Sequence, residues 1–190
     1  MRSVSVLSCA LLFLLSGCGT QTEKAPVVAK IVLGPVKSKL DSARTQKLIS
    51  VLDNYYAVKN SLVLSNAAKT EETSGQLAIA ADEFRSSLSK DSANLPNVQL
   101  YLDTIILQSK LVKETKDPTC ERQRLAFSKL SDAMFILMKR VELKNAGIYQ
   151  QYCPMAFNEK GAYWLSNEAD IKNPYYGKKM LECGEVKDSL

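Results

Sequence analysis

The sequence contains no histidine, and this absence removes more chemistry than any other feature of its composition. Histidine is the commonest general base and a preferred ligand of Zn(II) and Cu(II), so mixed imidazole metal sites are excluded. The sequence also has no C-x-x-C redox pair, no glycine-rich phosphate loop and no catalytic serine motif. We therefore expect that the protein is not an enzyme.

A strong charge of one sign is also missing. The chain has 25 lysines and arginines against 20 aspartates and glutamates, a formal net charge of +5. Lysines alternate with acidic residues, and no basic run carries interleaved aromatic residues. The charge is typical of a solvated surface, and we expect no binding to nucleic acid.

The chain begins with an apolar run, residues 4–15, that is shorter than the roughly 20 residues of a membrane-spanning helix. The run ends in LSGC, which resembles the lipobox of bacterial lipoproteins. This resemblance implies a signal peptide over residues 1–17 and lipidation of Cys18, which would anchor the protein to a membrane. Because Gly19 and not aspartate follows the cysteine, we expect the outer membrane, on its periplasmic side. A plain secretory leader is the alternative.

Residues 18–38 show neither helical nor alternating periodicity and predict a tether. Residues 39–190 are predicted to form a single helical domain with four amphipathic helices. Their apolar faces, in chain order, are Leu48, Leu52, Tyr55 and Leu62; Leu77, Ala81, Phe84 and Leu88; Val98, Tyr101, Ile105 and Val112; and Phe127, Leu130, Met134, Leu137 and Val141. Short connections favour antiparallel neighbours, so we predict an all-α fold, an antiparallel up-down four-helix bundle.

The C-terminal segment, residues 148–190, is predicted to pack on this bundle as an irregular but ordered chain rich in cysteine, methionine and aromatic residues. Proline and glycine divide it into short pieces, with strands only at residues 149–155 and 161–165. Its aromatic area is large enough to dock it on the helices. The residues predicted to be structural here are Trp164, Pro174, Gly177 and Gly184.

Two pairs of sulfur-bearing residues lie in the C-terminal segment. Cys153 and Met155 are two positions apart, which places both sulfurs on one side of an extended chain. Met180 and Cys183 can wrap around a turn. Thiolate and thioether sulfur are soft ligands that prefer Cu(I) or Ag(I). Together these residues predict a site of two to four sulfurs for a soft monovalent ion.

A structural interpretation of the same cysteines is equally open. Cell envelopes are oxidising, so Cys153 and Cys183 can form a disulfide. Closing this loop of about 31 residues would stabilise the fold by about 3–4 kcal/mol in the chain-entropy model. The two methionines would then be packing residues. Cys120 adds an odd thiol that can pair with either cysteine, so its role stays undecided.

The stretch CPMAFNEKGAYWLSNEADIKNPYYGKKMLECGEV, residues 153–186, resembles the signature of a bacterial envelope domain of unknown function. That domain occurs alone in lipoproteins and at the C-terminus of adaptor subunits of copper and silver efflux pumps. The similarity extends to YYAVKNSLV at residues 55–63 and QRLAFSKLS at residues 123–131. It implies a helical domain linked to heavy-metal resistance, with an efflux adaptor as a partner.

The resemblance favours the metal-binding interpretation of the sulfur residues. The first hypothesis is a lipid-anchored envelope protein that binds Cu(I) or Ag(I), for buffering or for delivery to efflux. Its predicted ligands are Cys153, Met155, Met180 and Cys183. The second hypothesis is a protein-interaction module without metal, braced by a Cys153–Cys183 disulfide.

Overall fold

The computed structural model describes residues 34–91 and 93–190. The predicted signal peptide, the predicted lipidation site Cys18 and most of the predicted tether lie outside the described residues. Within the described part of the chain, no helix is long and apolar enough to cross a membrane.

Four long helices make up most of the fold. They are α1 (Ser42–Val63), α2 (Ala67–Ser87), α3 (Leu95–Glu114) and α4 (Glu121–Arg140). Each helix packs along the one that follows it, as predicted from the short connections. The backbones of α1 and α4, by contrast, are not closely packed on each other. The C-terminal segment enters here, because its second strand packs against α4.

Local sequence explains where the first two helices begin. The Asp41 carboxylate accepts a hydrogen bond from the backbone N–H of Arg44 at 2.8 Å, which caps α1. The Asn66 side chain accepts one from the backbone N–H of Lys69 at 3.0 Å, which caps α2. Each cap satisfies a donor that the first helical turn leaves free.

The predicted apolar faces form the core. Every residue named above for the four faces is buried except Tyr101, which is partly exposed. Two aromatic rings from different helices meet at the centre, where Tyr55 and Phe127 stack with 5.2 Å between their centroids. Periodicity of 3.6 residues therefore identifies the buried face of all four helices.

The C-terminal segment is not irregular, and the fold is mostly helical without being all-α. It contains the strands β1 (Tyr149–Cys153), β2 (Ala162–Ser166) and β3 (Glu185–Ser189), which form an antiparallel sheet in the order β2-β1-β3. The first two strands lie where the sequence predicted strands. The third was missed because its side chains are mostly exposed, so it has no alternating apolar pattern.

Backbone conformation makes the turn between β1 and β2 unusual. Three successive residues, Phe157, Asn158 and Glu159, have φ of 54°, 58° and 65°. These left-handed values are disfavoured for residues with a side chain. A short 3₁₀ turn, Gly177–Lys179, lies between β2 and β3. At the other end of the domain, Lys37 of the predicted tether pairs with Lys144 through two backbone hydrogen bonds of 3.1 and 2.8 Å.

Candidate functional site

The structure brings Cys153 and Cys183 together. Cys153 ends β1 and is fully buried, whereas Cys183 precedes β3 and is partly exposed. Their Sγ atoms are 2.8 Å apart, and both are free thiols. The register of the sheet, in which Tyr152 of β1 pairs with Glu185 of β3, explains this proximity. A disulfide bond is shorter, about 2.05 Å.

The two predicted methionine ligands flank the thiol pair. Met155 follows Cys153 at the start of the left-handed turn, and its side chain is 45% exposed. The part of Met155 that faces Cys183 is its backbone N–H. Met180 ends the 3₁₀ turn, and its carbonyl accepts a 3.2 Å hydrogen bond from the backbone N–H of Cys183. The backbones of both methionines thus lie next to Cys183.

Harder ligands do not gather in the described part of the chain. No group of three or more histidine, cysteine, aspartate or glutamate side chains among residues 34–91 and 93–190 could hold a metal ion. A site built on Cys153 and Cys183 would therefore depend on sulfur alone. This donor set suits soft monovalent ions and does not suit Mg²⁺ or Ca²⁺, which prefer oxygen.

Electrostatics keep the Cys183 thiol protonated at neutral pH. The hydrogen bond to Cys153, burial and the charge of the Cys153 sulfur raise the pKa of Cys183 to about 11. The Met155 N–H opposes these effects. Cys183 therefore loses its proton readily only when a cation binds its sulfur or when an oxidant joins it to Cys153.

The third thiol of the domain lies elsewhere. Cys120 is buried directly before α4, beside Thr70 and Arg124. Burial raises its pKa. Since Cys153 and Cys183 contact each other, the structure gives Cys120 no part in the pair.

Asn173 holds the loop that carries Cys183, and the sequence analysis missed it. Its fully buried side chain donates a 2.7 Å hydrogen bond to the Cys183 carbonyl and accepts one of 2.8 Å from the Tyr175 backbone N–H. Its own backbone N–H donates to the Leu181 carbonyl at 2.8 Å. The available signal was the Asn-Pro dipeptide with Pro174, which favours the start of a turn.

Two adjacent tyrosines fasten this loop to the rest of the segment. The Tyr176 hydroxyl donates a 2.6 Å hydrogen bond to the Met155 carbonyl, beside the thiol pair. The buried Tyr175 donates from its hydroxyl to the Tyr163 carbonyl, and its ring lies 6.0 Å from the ring of Phe127 in α4. The loop is thereby tied both to the sheet and to the helices.

Arg124 is a second residue that sequence reasoning missed. It projects from α4, is 6% exposed, and donates to four neutral acceptors. These are the carbonyls of Pro174, Thr119 and Leu62 at 2.8, 2.8 and 3.1 Å, and the hydroxyl of Ser65 at 2.8 Å. The available signal was its position three residues before Phe127, which puts a charge on the apolar stripe of the helix.

The four predicted structural residues lie at close contacts. Trp164 is fully buried on β2, and the carbonyl of Pro174 accepts from Arg124. Gly184 has φ of 150°, and a Cβ there would meet the Trp164 ring at 2.8 Å. Gly177 has φ of 56°, and a Cβ there would meet the Ser65 hydroxyl at 2.6 Å. These contacts leave no room for a side chain at either glycine.

Comparison with known proteins identifies the family. A model of a protein family of unknown function, DUF3347, matches residues 51–146, half of the chain, so the chain belongs to this family. The expected relationship to a domain of unknown function is confirmed at this level. The match covers most of α1 and all of α2, α3 and α4, and it ends before the thiol pair. No curated protein and no solved structure matches the chain.

Proposed function

We propose that this is a lipid-anchored envelope protein whose Cys153–Cys183 pair binds Cu(I) or Ag(I), for buffering or for delivery to an efflux adaptor. The observation that carries the proposal is the 2.8 Å approach of two sulfurs in a chain without histidine. Soft monovalent ions prefer sulfur to oxygen. The lipid anchor at Cys18 and the outer-membrane location rest on the lipobox resemblance alone.

An ion fits this pair if the sulfurs move apart. With metal–thiolate bonds of about 2.3 Å, two sulfurs that bind one ion are separated by up to about 4.6 Å. Cys183 is the residue that can move, because it is partly exposed and lies in a loop, whereas Cys153 is buried in the sheet. The thioether of Met155 or of Met180 then supplies a third ligand.

Ion binding must displace the proton of Cys183, so its affinity depends on pH. Because the pKa of Cys183 is about 11, the thiol is protonated throughout the neutral range. The apparent affinity for Cu(I) should therefore rise as the pH rises from 6 to 8, by about tenfold for each proton released per pH unit.

The direct test is an anaerobic titration of the reduced lipidated protein, which begins at the acylated Cys18, with Cu(I) against a competing chelator. We expect about one equivalent to bind, and we expect Cys153→Ser with Cys183→Ser to abolish that binding. Cys120→Ser is the matched control and should bind as the unaltered chain does. Met155→Ala and Met180→Ala then measure each thioether separately. Unchanged Cu(I) affinity in the double cysteine variant would refute the proposal.

The same proximity of the thiols favours a second function, a metal-free interaction module braced by a Cys153–Cys183 disulfide. The surface of the C-terminal segment supports it, because several apolar side chains there are 37–45% exposed. They are Met155, Tyr163, Leu181 and Val186. Such side chains are available to a protein partner.

Thiol counting and intact mass on the protein isolated from the envelope decide between the two functions. A loss of two mass units with only Cys120 free, together with no Cu(I) binding by the reduced chain, would establish the braced module. If Cys153 and Cys183 are found as free thiols, or both bound to metal, the disulfide-braced module is ruled out.

A further inference from the structure

A cleft of ≈ 850 Å³ lies beside the thiol pair, between the start of α4, the left-handed turn after β1 and the 3₁₀ turn. Its lining contains four cationic side chains, from Arg124, Lys160, Lys178 and Lys179. Only one carboxylate, that of Glu121, lines it. The three lysines are exposed and Arg124 is buried, so the positive charge runs from the floor of the cleft to its rim.

Among residues 34–91 and 93–190, the cation at the floor makes no ion pair, although the Glu121 and Asp117 carboxylates are near enough to raise its pKa. The four hydrogen bonds of Arg124 all go to neutral oxygens. A guanidinium has five N–H groups, so one N–H of Nη1 has no acceptor among the residues that the structure describes. Burial nevertheless lowers the pKa of Arg124. A buried charge that is hydrogen-bonded only to neutral groups is costly, and an anion in the cleft would offset that cost.

The three lysines at the rim are also available to bind an anion. None of the ion pairs between residues 34–91 and 93–190 involves Lys160, Lys178 or Lys179. Each can turn its ammonium group toward a bound anion without breaking an existing pair.

The wall of the cleft is formed by strained backbone and aromatic rings. Phe157 and Asn158, which line it, both have left-handed conformations. Such conformations persist where the surrounding structure enforces them, and they cluster at ligand sites. The rings of Phe157 and Tyr176 give this wall an apolar surface next to the cations.

We propose that this cleft binds a phosphate group, carried on a molecule whose apolar part lies against Phe157 and Tyr176. Four cations match the multiple charge of a phosphate monoester better than the single charge of a carboxylate, and a guanidinium is well suited to phosphate oxygens. The group can belong to a soluble phosphate ester or to a phospholipid headgroup. This site is separate from the thiol pair, so its existence does not depend on metal binding.

The test uses the lysines, because substituting Arg124 would disturb the fold. Lys178→Gln with Lys179→Gln removes two charges from the rim. Lys110→Gln with Lys129→Gln is the matched control, since both are exposed lysines outside the cleft and outside the ion pairs. Each full-length variant is titrated at constant ionic strength in two arms. One arm uses phenyl phosphate, and the other uses vesicles containing a phosphate-monoester lipid, phosphatidic acid.

We expect the rim variant to bind about tenfold more weakly than the unaltered chain, as for two exposed charge contacts, and the control to change less than twofold. Loss in the phenyl phosphate arm identifies a soluble ester as the ligand, and loss in the vesicle arm alone identifies a lipid headgroup. Absence of binding in both arms, or equal weakening in both double variants, would overturn the proposal. The Cu(I) titration is independent of all these outcomes.

Discussion

The helices and the C-terminal segment are held together by different forces. The buried faces of α1 to α4 are mainly apolar, with polar side chains such as Lys59, Ser74 and Ser131 among them. The C-terminal segment instead depends on buried polar groups that each make several directed hydrogen bonds. Gln151 is fully buried, and its amide donates to the carbonyls of Glu168, Ala169 and Asp170 at 2.9, 3.1 and 3.3 Å. Asn173 acts in the same way, and Arg124 of α4 holds the segment from the helix side through the Pro174 carbonyl.

This difference predicts how each region responds to mutation. Apolar packing is non-directional, so a helix can adjust when one side chain becomes smaller. A directed hydrogen bond leaves an unsatisfied polar atom when its partner is removed. The thiol pair belongs to the second region, so the geometry of Cys153 and Cys183 depends on polar residues some distance from them.

The largest effect should come from the largest buried side chain of the C-terminal segment. Trp164 is fully buried against Tyr175, with 5.9 Å between ring centroids. Trp164→Ala should lower the free energy of unfolding by about 4 kcal/mol, because it leaves a large cavity. Urea denaturation followed by circular dichroism measures this, since the variant has no tryptophan left.

The control for Trp164 is its neighbour on β2. Tyr163 is 38% exposed, so Tyr163→Ala should cost less than about 1 kcal/mol. If both variants lose a similar free energy of unfolding, apolar contact is not what holds β2 in place.

Arg124→Met should have the next largest effect, a loss of about 3 kcal/mol. The methionine keeps most of the volume but leaves several buried oxygens without a donor, including the Pro174 and Leu62 carbonyls. Arg122→Met is the control, because Arg122 lies on the same helix, two residues before Arg124, and is exposed. If both variants unfold at the same urea concentration, the polar description of the C-terminal segment is wrong.

The same contrast explains which features the sequence could predict. The helix faces depend on residues three or four positions apart, so periodicity reveals them. The contacts of Arg124 join residues separated by 50 to 62 positions, and no local pattern encodes them. β3 is an edge strand with exposed polar side chains, so only its pairing with β1 defines it.

Sequence patterns reach the same limit at the candidate site, where long-range contacts decide the geometry. Residue chemistry drew attention to Cys153 and Cys183, but it left their pairing open. Their proximity follows from the register of β1 and β3, and from the Asn173 hydrogen bond that holds the Cys183 loop. Both are long-range features. The methionines were equally prominent in the sequence, and only the structure separates the exposed Met155 from the central thiols.

Two Gly→Ala substitutions, one in each region, should change the stability of the protein in opposite directions. Gly177→Ala should cost about 2 kcal/mol, because φ is 56° and the new Cβ would meet the Ser65 hydroxyl and the Val63 carbonyl. Gly75 lies inside α2, where its Cβ would meet only the flexible Lys113 side chain, at 3.2 Å. Gly75→Ala should therefore stabilise the protein by about 0.5–1 kcal/mol. Thermal unfolding of both variants gives the sign of each change in stability. A change of the same sign in both would contradict the different roles given to the two glycines.

The smallest expected effect is a pH dependence of stability, caused by a lysine at the boundary between the helices and the C-terminal segment. Lys59 of α1 is 1% exposed, and its Nζ lies 3.5 Å from the Ser166 hydroxyl of β2. Burial lowers its pKa from 10.5 to about 8. Between these values the unfolded chain binds more protons than the folded chain, so stability rises with pH. The gain from pH 7 to pH 9 should be about 1 kcal/mol.

Urea denaturation at several pH values up to 9 measures this slope in the presence of a reductant. The window ends there because the raised pKa of Cys183 acts in the opposite direction above pH 9, where the folded chain retains the proton longer. Lys59→Met should abolish the slope, whereas Lys47→Met, at an exposed position of the same helix, should keep it. A slope that survives in Lys59→Met would come from another titrating group. No slope in the unaltered chain would mean that water reaches the Lys59 amine and keeps its pKa near 10.5. The boundary between helix and sheet would then be wet, and the two regions would be less firmly joined than the apolar contacts of Trp164 imply.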